Sequence, residues 1–263
     1  MAVAASRDPS RDWQLRWYQL VRSMARVNTP RGEEQLLDWL LRPGEARVLA
    51  FVNAHAMNTV AESPSFYNAL MSADMVVRDG IGMALLMRLC NQVPGQNLNG
   101  TDLIPKLLQR MDGEPIALFG TRDPWLSTAR DEVLARLAPR SSVVTANGFL
   151  DTVDYIRLAA RHKPRLIVLG MGMPRQEEVA MALRGALGSS CLIVCGGAII
   201  DFLGGKVRRA PVWMREHGLE WAFRLCCEPG RLWDRYVRGN PRFLRRALGI
   251  AERSWRHGWP AVA

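Results

Sequence analysis

Six short apolar runs separated by amphipathic stretches set the strongest limit on what this chain can fold into. The runs are Val48–Val52, Asp74–Val77, Ile116–Phe119, Val143–Thr145, Leu166–Leu169 and Leu192–Val194. Between them, helical spacing is predicted near Pro64–Met71, Gly82–Leu89, Asp102–Met111, Pro124–Leu137, Thr152–Arg161 and Gln176–Leu187. Strands alternating with helices predict parallel pairing, and apolar runs without strict alternation predict strands covered on both faces. The expectation for residues 47–205 is an α/β fold, a Rossmann-like parallel-sheet sandwich. Residues 1–46 carry Trp13, Trp17, Tyr18, Leu20 and Met24 among arginines and predict an N-terminal helical segment. After Asp201 the pattern changes. Gly218–Cys227 and Arg231–Val237 look helical, Gly230 and Gly239-Asn240-Pro241 are expected to interrupt them, and Arg242–Trp255 resumes. Residues 206–263 are therefore expected to form a basic helical C-terminal appendage.

Charge separates that appendage from the body. The 263-residue chain has a net charge of +10. Between Lys206 and Arg256 there are 13 Lys/Arg against 5 Asp/Glu, a net of +8, whereas the remainder nets only +2. A basic end on a near-neutral body calls for an anionic partner: nucleic acid, acidic lipid or a phosphorylated substrate. Membrane spanning is not expected, because the longest apolar stretch, Cys191–Ile200, is half of the roughly 20 residues required. The first 30 residues show no secretory pattern. Cys90, Cys191, Cys195, Cys226 and Cys227 form no CxxC pair, which fits reduced thiols in the cytosol.

Polar residues fall just past the carboxyl ends of four predicted strands, where open α/β sheets place ligands. They are Asn53-Ala54-His55, Arg78-Asp79-Gly80-Ile81-Gly82, the run Gly170 to Glu177, and Cys195-Gly196-Gly197. Asp79 has two readings: a partly desolvated carboxylate able to deprotonate a hydroxyl, or an N-cap of the following helix. Burial would raise its pKa and a helix N-terminus would lower it, so the sequence leaves the direction open. Gly170-Met171-Gly172 is an incomplete dinucleotide fingerprint, blocked by Pro174, but its glycines could let backbone N–H groups approach a phosphate. Gln176 could then reach a sugar or phosphate oxygen. Asn53 suits a sugar hydroxyl or a helix cap, and His55 an orienting role; the four histidines show no metal spacing. Arg224, Arg231, Arg235 and Arg238 recur at near-helical spacing among Trp221, Phe223, Trp233 and Tyr236, a pattern compatible with nucleic acid or acidic lipid.

With these segments in order, the sequence resembles the WecG/TagA/CpsF family of bacterial glycosyltransferases from about Val48 to Tyr236. The pieces that carry the resemblance are Val52-Asn53-Ala54, Asp79-Gly80-Ile81-Gly82, Asn99-Gly100-Thr101-Asp102-Leu103, Gly172-Met173-Pro174-Arg175-Gln176-Glu177 and Gly196-Gly197-Ala198 leading to Asp201. Arg209-Ala210-Pro211-Val212-Trp213 and the run from Gly218 to Arg231 complete it. The resemblance implies an enzyme that moves a sugar from a UDP-sugar to a sugar on a polyprenyl diphosphate, with inversion and with no cofactor or metal. It implies Asp79 as base. Asn53, His55, Asn97, Thr101, Asp102, Gly172, Gln176, Gly196, Gly197 and Asp201 are expected to line the substrate site. Arg209, Arg224, Arg231 and Arg235 are expected at the diphosphate and the membrane. The implied setting is cytoplasmic, peripheral on the inner face of the membrane, with assembly as monomer or homo-oligomer left open.

Two positions depart from the family pattern: Phe51 stands where some members carry threonine, and Asn97 where arginine is common. The Asn97-to-Asp102 run resembles exopolysaccharide glucosyltransferases more than N-acetylmannosamine transferases, which favours UDP-glucose and keeps N-acetylmannosamine (or its uronic acid) as the alternative. A basic nucleic-acid-binding protein is the rival from another class; it leaves the strand-end residues without a purpose, and nucleic acid is not the expected partner.

Overall fold

The computed structural model describes residues 9–42, 44–188 and 190–257; the N-terminal segment before residue 9 and the chain after residue 257 lie outside these. Six strands form one sheet: β1 (Arg47–Val52), β2 (Met75–Arg78), β3 (Ile116–Gly120), β4 (Val143–Ala146), β5 (Leu166–Gly170) and β6 (Leu192–Cys195). Every pairing is parallel, in the order β2-β1-β6-β5-β3-β4. All carboxyl ends therefore share one edge. The strands bearing the four polar turns, β2, β1, β6 and β5, are consecutive, so those turns stand side by side.

Side chains alternate across the sheet with period two. Leu49 and Phe51 enter one core layer, and Ala50 and Val52 enter another. Helices cover both faces, as buried parallel strands require. In chain order they are α1 (Pro9–Ser23), α2 (Pro30–Leu40), α3 (Ala54–Glu62), α4 (Pro64–Met71), α5 (Ile81–Leu89), α6 (Gly100–Arg110) and α7 (Trp125–Glu132). They continue with α8 (Thr152–His162), α9 (Arg175–Ala186), α10 (Ile199–Leu203), α11 (Val212–Glu216), α12 (Glu220–Cys227), α13 (Pro229–Trp233) and α14 (Gly239–His257). Residues of α2, α6 and α7 share a core with Leu49, Phe51 and Val77. Those of α1, α3, α4, α5 and α14 share another with Ala50, Val52 and Val76. The exposed side of β2 is covered in part by the N-terminal segment, where Ala25 donates its N–H to Val76 at 2.8 Å.

The fold departs from the sequence reading in several places, the short helices α10 and α11 among them, which no predicted segment covers. A helix start at Asn53 is one of the two readings of that residue, but the extent of α3, Ala54–Glu62, is not among the predicted helical segments. Asn53 starts it, its Oδ1 accepting the Ala56 N–H at 3.1 Å. The break expected at Gly230 falls at Glu228 instead, and Gly230 lies in the first turn of α13. Gly239-Asn240-Pro241 does not interrupt the chain. A π-helical turn, Asp234–Arg238, joins α13 to α14, and Pro241 sits in the first turn of α14, where a missing N–H matters little.

Helix α14 does not stand off the body. Phe243, Ala247, Ile250 and Ala251 form one buried stripe at positions i, i+4, i+7 and i+8. Phe243 packs beside Trp17 with centroids 5.6 Å apart, and the Tyr18 hydroxyl donates to the Ile250 carbonyl at 3.1 Å. The docking of α14 on α3 and α5 bends the preceding helices back over the carboxyl edge of the sheet, where they roof the crevice.

Candidate active site

The crevice has two lobes that meet at Asp79. The larger, about 320 Å³, lies under α12, the π turn and the start of α14; Trp221, Tyr236, Phe243 and Leu244 give it an apolar wall. The smaller, about 180 Å³, lies over the ends of β5 and β6 and is lined by Gly170, Gly172, Gly196 and Gly197. Asn53, Asp79, Thr101, Arg224 and Arg235 line both.

Asp79 is fixed by its backbone and left open at its carboxylate. Its N–H donates to the Val52 carbonyl at 2.8 Å, extending the β1–β2 ladder by one residue. Gly80, with φ of 85°, is the N-cap of α5 and provides no side-chain cap, so Asp79 is not consumed in capping. Asn53 uses its other amide atom here, Nδ2 donating to Asp79 Oδ2 at 3.3 Å. The turn is clamped from outside: Asn97 Oδ1 accepts the Gly80 N–H at 2.7 Å, and buried Arg78 donates to the Pro94 and Gly95 carbonyls at 2.8 and 2.7 Å. Desolvation pushes the Asp79 carboxyl up from its ordinary value. The Asn53 hydrogen bond and the charges of Arg235, Arg224 and Arg78 offset only part of this. The direction left open by the sequence is thus upward, toward a more basic carboxylate.

Two guanidiniums face that carboxylate without an anion of their own. Among the described residues Arg224 and Arg235 form no ion pair, and the Nε atoms of both are buried without a hydrogen-bond partner. Arg224 lies over the Phe202 ring at 5.4 Å. Desolvation lowers the pKa of Arg235, and the charges of Arg224 and Arg231 lower it further. Arg231 lines the smaller lobe but is paired with Glu228. A desolvated cation without a partner is unfavourable, and Arg235 with Arg224 beside it makes the junction chemically suited to an anion.

Several expected site residues are in place but already engaged. Gln176 is buried in the wall of the smaller lobe. Its Oε1 accepts the Gly197 N–H at 2.9 Å, and its Nε2 donates to Glu177 Oε1 at 2.8 Å and to the Cys195 carbonyl at 3.3 Å. The Gly196 N–H is held by the Leu169 carbonyl at 2.8 Å. Neither glycine therefore offers a free N–H group; Gly197 contributes space, whereas a Cβ on Gly196 would meet Ile199 Cγ2 at 2.6 Å, so that position is held to glycine by close packing. A Cβ on Gly172 (φ 80°) or Gly197 (φ 60°) would meet no atom within 4 Å, which is the open floor of the lobe. Asp201 lines the same lobe, with its Oδ1 accepting Thr121 Oγ1 at 2.6 Å and Lys206 Nζ at 3.0 Å.

Asp102, expected at the substrate, and Arg209, expected at the diphosphate and the membrane, line neither lobe; they pair with each other and tie the basic segment to the start of α6. Burial alone would raise the Asp102 pKa, but hydrogen bonds from Arg209 and Asn99 and the charges of Arg209 and Arg215 hold it below the usual range. His55 and Asn97 line the larger lobe. Desolvation and the charge of Arg235 push His55 down to about 4, so its imidazole is neutral near pH 7.

Sequence reasoning passed over Glu220. It opens α12, lines the larger lobe, and has no hydrogen bond or ion pair among the described residues. Burial raises its pKa ahead of the opposing charges of Arg209 and Arg224. It stands in the run from Gly218 to Arg231 that carries the family resemblance, but only the placement of α12 over the crevice brings it to Asp79's lobe.

No helix among the described residues is long and apolar enough to cross a membrane, and no group of three or more His, Cys, Asp or Glu side chains there is placed to hold a metal ion. A family described as "Glycosyl transferase WecG/TagA/CpsF family" matches residues 20–257. An N-acetylglucosaminyldiphosphoundecaprenol N-acetyl-beta-D-mannosaminyltransferase of Bacillus subtilis (strain 168) is 26% identical over 193 residues, 72% of this chain and 75% of that protein. A protein of the same name from Staphylococcus aureus (strain NCTC 8325 / PS 47) is 25% identical over 176 residues, 65% of this chain and 68% of that protein. With a match over nearly its whole length and a parallel sheet that gathers the matching motifs around one crevice, the chain belongs to the WecG/TagA/CpsF family of glycosyltransferases.

Proposed function

We propose that this chain is an inverting transferase that takes a sugar from a UDP-sugar in the smaller lobe and passes it to a polyprenyl-diphosphate-linked sugar in the larger. The observation that carries this reading is the position of Asp79 where the lobes meet, beneath two unpaired arginines. A hydroxyl of the acceptor sugar gives its proton to Asp79 as its oxygen attacks the anomeric carbon. The bond from that carbon to the UDP oxygen breaks on the opposite side, and the charge left on UDP is taken by Arg224, Arg235 and Arg231. Asn53 keeps the carboxylate aimed at the junction. Arginines supply the charge stabilisation in this scheme, so no metal or cofactor has a part. The acceptor confines the reaction to the inner membrane surface, and the basic C-terminal helices supply the attraction to anionic lipid.

One observation bears on the donor and one on the acceptor. Phe51 presents an apolar ring to the smaller lobe, which favours a plain hexose such as glucose in an exopolysaccharide pathway. Asn97 lines the larger lobe, where it would meet the acceptor sugar as a neutral group. The names of the relatives favour an N-acetylmannosaminyl donor instead. A panel of UDP-sugars against polyprenyl-diphosphate-linked acceptors, with the configuration and linkage of the product determined, tests both the reaction and the donor. Transfer with inversion from one UDP-sugar is expected; absence of transfer from every member, despite UDP binding, would refute the reading.

A further inference from the structure

Helices α5 and α14 both begin at the larger lobe and lead away from it, packed against each other where the Phe243 ring meets Gly82. Most apolar residues of α5 are buried, but Ile81 and Leu85, one turn apart, are 51% and 42% exposed. On α14 the residues in step with Asn240, which lines the lobe, are Leu244 and Leu248, 42% and 51% exposed. Ile81, Leu85 and Leu244 line the lobe itself, and Leu248 continues the row one turn beyond it. Single exposed leucines are common on protein surfaces and need no explanation. A seam of four, contributed equally by two adjacent helices and running out of a crevice mouth, is a different feature. The crevice wall it extends is itself apolar, with Trp221, Tyr236 and Phe243 inside.

We propose that this seam holds the first isoprenoid units of the acceptor's own polyprenyl chain as it leaves the site. The proposal rests on the reading that the acceptor is a polyprenyl diphosphate. An acceptor sugar placed at Asp79, with its diphosphate beneath the roof arginines, must send its hydrocarbon chain out of the larger lobe. The seam is the apolar exit from that lobe. A slender, methyl-branched run of prenyl units matches two parallel rows of aliphatic side chains in a way that a folded partner would not, and the burial of its methyl and methylene groups would add to acceptor affinity. The chain would thereby fix the direction from which the acceptor enters, leaving the smaller lobe to the donor.

The test uses binding rather than turnover, so that it stands apart from the transferase reading. Farnesyl diphosphate and inorganic diphosphate are titrated into the full chain by calorimetry, below the micelle concentration of the former. The wild-type protein is expected to bind farnesyl diphosphate at least roughly tenfold tighter than diphosphate. The double variant Leu85→Ser, Leu248→Ser, at two exposed positions, is expected to lose most of that increment while keeping its affinity for diphosphate and UDP. The paired variant Leu85→Met, Leu248→Met should retain it. An equal increment in wild type and the serine variant would overturn the proposal. So would loss of binding to phosphatidylglycerol vesicles with the farnesyl increment intact, since the seam would then touch the bilayer rather than the acceptor. A seam-dependent increment in a protein that transfers no sugar would leave the seam standing and refute the transferase reading alone.

Discussion

The lobe built on the sheet and the lobe roofed by the C-terminal helices differ in where their polar groups find partners. Over β5 and β6, Gln176 clasps Gly197, Asp201 is held by Thr121 and Lys206, and the Gly196 and Gly197 N–H groups are bonded within the protein. That lobe has its shape without a ligand. Under the roof, Arg224 and Arg235 have unpartnered Nε atoms and Glu220 faces the lobe without a hydrogen bond. The roof brings charge that the protein itself does not satisfy. On the proposed reading, a preformed pocket would take the donor and a roof with unsatisfied charge would be completed by diphosphate and acceptor, with Asp79 belonging to both.

The comparison makes predictions that can break or sharpen it. Asp79→Asn removes the base while preserving shape and the Asn53 contact region, and should lower turnover by roughly 10²–10⁴-fold with UDP affinity by calorimetry unchanged. Glu177, beneath the sheet-built lobe, tests whether that lobe is set by its own network. Burial raises its carboxyl to about 7, and its Oε2 has no hydrogen-bond partner. The folded protein holds a proton there that the unfolded chain has released, so stability is greatest below the ordinary carboxylate value and falls as pH rises toward and through about 7. Glu177→Gln should remove up to roughly 3 kcal/mol of that decline, read as a smaller drop in Tm between acidic and mildly alkaline buffer.

Arg235→Met should act in opposite senses on stability and binding. Without ligand, removal of an unpaired desolvated cation should raise Tm by a few degrees, while UDP affinity falls by roughly 10- to 100-fold. A loss of both would mean that the roof is a structural element and not a ligand site. Glu220→Gln should have the smallest effect, a rise of roughly three- to tenfold in acceptor KM with donor KM unchanged. Equal shifts in both would erase the division between the lobes.

Much of this was legible in the chain because its signals are local. Six apolar runs gave six strands within a residue or two, and Asp79 was conspicuous after one of them. The order of strands was not legible, because nothing within a run says which run it pairs with. Only that order makes the four polar turns neighbours. Engagement of side chains was equally hidden. Gln176, Asp102 and Arg209 have the chemistry of substrate contacts, and it is tertiary proximity that turns them to clasping a glycine turn or pairing with each other. Glycine and proline at 239–241 suggested a stop, but a π turn and a first-turn proline let the helix continue and return Glu220, Arg224 and Arg235 to the site.

The central claim, that Asp79 is the proton acceptor at the meeting of the two lobes, is tested most directly by pH profiles of kcat/KM for wild type and Asp79→Asn measured side by side with a lipid-linked acceptor. The wild-type profile should fall on the acid side as Asp79 takes up a proton, at a pH above the ordinary aspartate value because desolvation raises it. The variant should lose both the rate and that acid limb. A variant that keeps the wild-type rate, or shows the same acid limb, would contradict the account.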